Sequence, residues 1–172
     1  MVDEIKNRVA NSSLITVDLE DFYPKGKRLE IDISIFLFQG LLLKEREFRA
    51  KIIKHDWNQY QHSYIALTNK NQALVPAWAF MLITTKLSPI AKMIIVGDKN
   101  ELEIIIFSNI IAKIDISNYK DRPVIIKGCS KKDIPENSYI QLIQKIQPVA
   151  KSIMYGEACS SVPLFKKNKY PQ

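Results

Sequence analysis

The sequence contains few of the residues from which common catalytic and nucleotide-binding loops are built. It has 5 glycines in 172 residues, none of them in the GxGxxG or GxxxxGK[ST] spacing with which a backbone loop surrounds phosphate groups. The GxSxG elbow, the HExxH helix and paired CxxC units are also absent. These absences give no support to a P-loop or dinucleotide-binding protein, an elbow-type hydrolase or a zinc protease.

Long apolar runs and a targeting segment are missing too. No stretch approaches the roughly 18 consecutive apolar residues of a membrane span. The first residues, MVDEIKNRVANSS, are acidic where a signal peptide has basic residues and then an apolar run. We therefore expect a cytoplasmic protein without membrane contact. In that compartment the two cysteines, Cys129 and Cys159, are expected to be reduced thiols.

The net charge of +7 is compatible with acidic partners, but the lysines are scattered along the chain. Only the tail carries a cluster, at Lys166, Lys167 and Lys169. A solvated basic surface explains this distribution better than a nucleic-acid platform does, so no nucleic-acid partner is expected.

The chain resembles itself at an offset of 59 residues without a gap. Thirteen positions are identical between residues 40–98 and 99–157, where average residue usage gives roughly three or four. The pairs include Phe48 with Phe107 and Tyr60 with Tyr119. This pattern predicts an internal duplication. The alternative is a chance register within one α/β domain, where strand-helix patterns imitate each other.

Each predicted repeat contains helix, strand, helix and strand. Pro76 and Pro135 stand where the first position of a helix tolerates proline, and Asp98 with Glu101 forms a capping-box pair ahead of a helix at 99–113. Strands separated by helices of about a dozen residues imply parallel pairing with crossovers. The predicted fold class is therefore α/β, with a mostly parallel sheet of at least four strands and flanking helices.

The predicted domain organisation is one domain over residues 1–172. Residues 1–39 form an N-terminal β extension, because segments at 14–19 and 29–33 alternate apolar and polar residues and could pair as an antiparallel hairpin at a sheet edge. The repeats follow at 40–98 and 99–157. Residues 158–172 are predicted to be a basic tail.

Both cysteines follow predicted strands of the second repeat. Ligand crevices of parallel sheets lie at the carboxyl ends of strands, so Cys129 and Cys159 are candidate ligands, with Gly128, Ser130 and Glu157 beside them. Thiolates are soft metal ligands and nucleophiles. Two buried inert thiols are the alternative, and Glu157 either supplies a carboxylate or caps a turn.

The predicted helix 76–87 is apolar nearly all round, whereas its counterpart in the second repeat is amphipathic. Trp78, Met81 and Leu82 are therefore candidate interface residues. Either the N-terminal segment or a second copy of the chain is expected to cover them.

Several segments resemble an uncharacterised family of small bacterial proteins, catalogued as a domain of unknown function. The segments are NRVANSSLITVDLEDFYP, FQGLLLKEREFR, HDWNQYQ, LVPAWAFML, VIIKGCS and PVAKSIMYGEACSSVPLFK. The family pattern includes both cysteine loops. The resemblance implies genes that are often encoded beside iron–sulfur cluster assembly components, and hence a role in sulfur or metal handling with iron–sulfur assembly proteins as partners.

Two functions compete at this point. The first is an accessory protein that handles metal, sulfur or an iron–sulfur cluster through the two-cysteine crevice. The second is a non-catalytic interaction protein that acts as a homodimer or with an assembly partner. An enzyme ranks third, because no base is predicted near the thiols.

Overall fold

A computed structural model describes residues 14–128, 131–157 and 160–167. Within these ranges the chain is α/β, with four α-helices and seven strands in two sheets. The strands are β1 (Ile15–Val17), β2 (Arg28–Asp32), β3 (Tyr64–Thr68), β4 (Met93–Val96), β5 (Pro123–Ile126), β6 (Ser152–Glu157) and β7 (Ser160–Lys166). The helices are α1 (Glu45–Lys54), α2 (Ala77–Leu87), α3 (Lys99–Lys113) and α4 (Glu136–Ile146).

The chain divides into two compact units. The inserted unit is Pro24–Ile105, and the split unit comprises, among the described residues, 14–23 and 106–167. The inserted unit contains a three-stranded parallel sheet in the order β2-β3-β4. The split unit contains the sheet β1-β5-β6-β7, in which β7 alone is antiparallel to its neighbour.

Each unit has its own apolar core. In the inserted unit Phe48 and Ile83 are fully buried between the helices and the strand β3. In the split unit Phe107 and Leu142 hold the corresponding positions against β5. Burial of these side chains is the main favourable contribution to folding of each unit.

The two units share one order of elements: strand, 3-10 turn, helix, 3-10 turn, strand, helix and strand. From the first helix onward the elements recur at an offset of 59 residues. The match is residue for residue between α2 and α4 and between the 3-10 turns Asn58–Tyr60 and Ser117–Tyr119. A common origin of the two units stays a prediction.

The first two strands differ from the predicted hairpin. β1 pairs in parallel with β5, and β2 pairs in parallel with β3, so each is the edge strand of a different sheet. Asp18 directly follows β1 and Asp32 ends β2, and each aspartate caps a 3-10 turn. Asp18 accepts a hydrogen bond from the amide of Glu20 at 2.9 Å, and Asp32 accepts one from the amide of Ser34 at 3.0 Å. These turns lead the chain away from the antiparallel return that a hairpin requires.

The predicted sheet of at least four parallel strands does not form. The parallel strands are divided between the two sheets, three in each. The segment predicted as a basic tail contains β7, which pairs with β6. Pro163 lies within β7, at the edge of the sheet, where a missing N–H costs no ladder hydrogen bond.

Candidate functional site

The candidate site lies where β5 and β6 end. These strands are hydrogen-bonded parallel neighbours, with Ile126 opposite Tyr155. Gly128 and Glu157 each follow two residues later, so both lie at the same edge of the split unit's sheet. Cys129, Ser130 and Cys159 lie outside the described residues. The structure therefore places their chain neighbours and not the thiols themselves.

Gly128 lies against the aromatic ring of Tyr155. The Tyr155 hydroxyl donates a hydrogen bond to the Gly128 carbonyl oxygen at 3.3 Å. A Cβ atom at residue 128 would lie only 2.8 Å from Cζ of Tyr155, so the close approach depends on glycine. Tyr139 on α4 meets the same ring edge to face, with 6.0 Å between ring centroids. Two tyrosine side chains therefore lie beside Gly128 at this edge of the sheet.

An ion pair joins the ends of β1 and β5. The Lys127 ammonium lies 2.9 Å from a carboxylate oxygen of Asp18, whose side chain is 15% exposed. Partial burial opposes ionisation of Asp18, but the hydrogen bonds from Lys127 and from the Glu20 amide lower its pKa overall. Their hydrogen bond and the charges of Asp18, Glu157 and Glu20 raise the pKa of Lys127. The negative charges of three carboxylates therefore act on this one ammonium.

Glu20 is hydrogen-bonded to the backbone shortly after Cys129 in the sequence. Its carboxylate accepts hydrogen bonds from the backbone amides of Lys131 and of Lys132, the latter at 2.9 Å. The Lys132 ammonium lies 4.7 Å from the ring centroid of Tyr23. The segment after residue 130 is thereby held against the 3-10 turn at Leu19–Phe22.

Glu157 is the last residue of β6 and pairs with Ser160 of β7. It is half-buried, and its charge contributes to the raised pKa of Lys127. Gly156 has a φ of +121°, and a Cβ there would meet the Ser160 carbonyl oxygen at 2.6 Å. This glycine permits the tight approach of β6 and β7 beside the site.

Sequence reasoning missed Asp18, Lys127 and Tyr155 as members of this edge. A usable signal existed for the aspartate, because Asp18 and Asp32 each stand between two apolar residues at the end of a predicted strand. No comparable pattern marks Lys127 or Tyr155, whose counterparts at the 59-residue offset are Thr68 and Val96.

The histidines do not join a metal cluster. Among the described residues no group of three or more His, Cys, Asp or Glu side chains could hold a metal ion. His55 caps the C-terminus of α1, and its Nε2 lies 3.0 Å from the Tyr60 hydroxyl. Phe36 and Trp57 contact the same imidazole ring edge to face. This environment is an aromatic cluster of the inserted unit.

The apolar helix α2 is covered on one side by α1. Trp78 packs edge to face on Phe48 with ring centroids 5.8 Å apart, and the Arg49 guanidinium lies 5.4 Å from the Trp78 ring. Leu82 is also partly buried against the core of the inserted unit. Met81 is 65% exposed and, with Ala77, Phe80, Thr84 and Val96, lines a groove of about 350 Å³. Of the three predicted interface residues, the structure leaves Met81 exposed.

Comparisons with known proteins place the chain in a family without assigning a reaction. No curated protein and no solved structure gives a significant match. Within the described residues, none of the helices combines the length and apolar character needed to cross a bilayer. The bacterial distribution and gene neighbourhood implied by the resemblance stay predictions. The family model matches residues 3–167, and the chain therefore belongs to the family described as "Protein of unknown function (DUF2480)".

Proposed function

We propose that the chain is a cytosolic accessory protein that handles sulfur, a metal ion or an iron–sulfur cluster through Cys129 and Cys159. One observation carries the proposal: β5 and β6 are hydrogen-bonded neighbours, so Gly128 and Glu157, the chain neighbours of the thiols, lie at one edge of one sheet. Adjacent parallel strands are about 4.8 Å apart. We therefore expect the two cysteines that follow these strands to lie close enough in space to bind one small cargo.

The surroundings suit thiolate chemistry. Lys131 follows Cys129 by two residues, and a nearby positive charge favours a thiolate over a thiol. Glu157 precedes Cys159 by two residues and offers a carboxylate as a third donor. Two thiolates and one carboxylate leave a coordination position for a cargo ligand or for a delivering partner, as transfer requires. Iron–sulfur assembly proteins are the partners that this function implies.

The 59-residue offset between the two units is compatible with a specialised second half. The counterparts of Cys129 and Cys159 at the 59-residue offset are Lys70 and Asn100, so the shared scaffold does not require thiols. We infer that the two units arose from one ancestral module and that the split unit acquired the cysteines. The conserved order of elements in the two units supports this inference.

The test is anaerobic purification followed by measurement of bound iron and zinc, acid-labile sulfide and the absorption spectrum. The Cys129→Ser, Cys159→Ser double variant removes both thiols, and Ser160→Ala is a matched change in the same region that keeps them. Metal or sulfide bound by the wild type and by Ser160→Ala, but lost from the double variant, would support the proposal. Equal binding by all three proteins after loading with iron and sulfide would refute it.

A second candidate function is protein interaction through the inserted unit. Its specific support is the groove beside α2, where Met81 is 65% exposed and Val96 is 61% exposed. Exposed apolar side chains that cluster around a groove are typical of interaction sites. This candidate does not depend on the thiols.

A further inference from the structure

The strand β4 has an open edge. It is the last strand in the sheet order β2-β3-β4 and, among the described residues, pairs with β3 alone. Toward β3, the amide of Lys92 donates to the Ser63 carbonyl oxygen and the amide of Gly97 donates to that of Leu67. Alternate backbone groups between these positions face away from β3. An edge of this kind is a template for pairing with another strand.

Other edge strands of the two sheets carry features that discourage such pairing. β1 is only three residues long, β2 contains three charged residues, Arg28, Glu30 and Asp32, and β7 contains Pro163 and ends at Lys166. Charges and proline on an edge strand are common protections against association. β4 has the sequence MIIV, with neither a charge nor a proline. Its lack of protection is typical of an edge that is normally covered.

The split unit contains a strand at the corresponding position. β6 is the counterpart of β4, and its outer edge is covered by the antiparallel strand β7. In this pairing Tyr155, the counterpart of Val96, lies opposite Val162. The same edge of the same kind of sheet is therefore closed in one unit by an antiparallel strand with apolar side chains. In the inserted unit, no described strand does this.

Two large apolar side chains are exposed at the end of β4 and on the helix α2. Val96 is 61% exposed and Met81 is 65% exposed, and both line the groove that Ala77, Phe80 and Thr84 complete. A strand paired with β4 would continue the sheet under this groove and remove the apolar side chains from water. Burial of apolar area at roughly 25 cal/mol per Å² would favour that pairing.

We propose that the β4 edge is a homodimer interface, in which β4 pairs with β4 of a second copy in antiparallel orientation about a two-fold axis. This proposal rests on the second candidate function and names its partner. When Ile95 lies opposite Ile95 of the second copy, Ile94 lies opposite Val96 and Lys92 lies opposite Asp98. The apolar centre of the strand is then matched with itself, as a two-fold interface requires.

Charge complementarity favours a second copy over an unrelated strand. The exposed residue before β4 is basic, Lys92, and the exposed residue after Gly97 is acidic, Asp98. Antiparallel pairing of two identical strands brings opposite charges together at both ends, whereas parallel pairing would bring like charges together. Opposite charges directly across an antiparallel pair are stabilising. The edge is therefore complementary to itself in one orientation.

Sedimentation equilibrium over a series from about 1 to about 100 µM protein tests the interface, since specific dimers commonly dissociate in this range. The wild type is expected to be a dimer. Val96→Lys places a lysine on both sides of the two-fold interface and should weaken the dimer at least about 100-fold. Ile53→Lys is the matched control, because Ile53 is a 75% exposed aliphatic residue on α1, away from β4. This control should remain a dimer.

A wild type that stays monomeric throughout the series would overturn the proposal. A monomer is the result expected if another segment of the same chain covers the edge. A Val96→Lys protein that remains dimeric would also overturn it. Met81→Lys gives a second test on the exposed side of α2 if Val96→Lys does not fold by circular dichroism. The Cys129→Ser, Cys159→Ser variant should remain dimeric, which separates this proposal from the thiol proposal.

Discussion

The ion pair between Arg28 and Glu103 offers the sharpest test of the packing in the inserted unit. Arg28 Nε lies 2.5 Å from Glu103 Oε1, and the two side chains are only 12% and 14% exposed. The guanidinium also donates to the carbonyl oxygens of Pro24 at 2.8 Å and Gly26 at 2.7 Å. Arg28 therefore connects the start of β2 to the first turns of α3 and to the turn before the strand.

Arg28→Met should destabilise the protein by about 3 kcal/mol. Removing one partner of a buried ion pair costs about 3–5 kcal/mol, because the remaining charge loses its oppositely charged neighbour, and slight exposure of both groups favours the lower end. Methionine keeps most of the aliphatic stem, so the loss reports the guanidinium. Glu103→Leu should cost about 2 kcal/mol, since Arg28 would retain the two carbonyl acceptors. The double variant should cost less than the sum by about 2 kcal/mol, the coupling between the two side chains.

Urea denaturation followed by far-ultraviolet circular dichroism measures these values. Arg49→Met is the matched control, because Arg49 pairs with Glu45 at 2.8 Å but the side chains are 51% and 63% exposed. An exposed pair four residues apart on a helix contributes about 0.5 kcal/mol or less, and the contact of Arg49 with the Trp78 ring about 0.5–1 kcal/mol, so this control should cost about 1 kcal/mol. If Arg28→Met were no more destabilising than Arg49→Met, or if the double variant were additive, the reasoning from burial would be wrong.

Three further predictions concern single polar groups. Asp98→Ala should destabilise the protein by about 1 kcal/mol by removing a helix cap, while Glu101→Gln should retain most of the capping box, and thermal unfolding checks both. Thr68→Val should be neutral or stabilising by about 1 kcal/mol in urea denaturation, because the Thr68 hydroxyl is buried and has no hydrogen-bond partner among the described residues. The pKa values of Asp18 and Asp32 are lowered from 3.8, so their contribution is complete above about pH 4 and is lost as the pH falls through the folded-state pKa values. Asp32→Asn should reduce the acid dependence of the free energy of unfolding below pH 4, and an unchanged slope would contradict the assignment.

Local signals in the sequence were sufficient for the helices and for one capping motif. Pro76 and Pro135 stand at the N-caps of α2 and α4, and the two reciprocal hydrogen bonds between Asp98 and Glu101 are both 2.8 Å long. Such features depend on neighbours within one helical turn, which the sequence displays directly. The adjacency of β5 and β6 could be predicted for a similar reason, since a single helix joins them.

Features that depend on distant residues could not be predicted. Alternating apolar residues identify β1 and β2 as strands but do not say which strands they pair with, because their partners, β5 and β3, lie far along the chain. The apolar surface of α2 gave the same difficulty. Trp78 and Met81 are three residues apart, yet Phe48 of α1 covers the first and leaves the second exposed. Composition alone does not distinguish them.

The contrast between the two units connects both proposals to one physical difference. In the split unit, β7 covers β6, and Glu157 ends β6 at the site edge opposite Ser160. The inserted unit has neither a strand after β4 nor cysteines. An edge strand that is paired within its own chain is closed to further strands, whereas an uncovered edge can accept a partner strand. Each copy in a dimer formed through β4 would contribute one split unit with its own two cysteines.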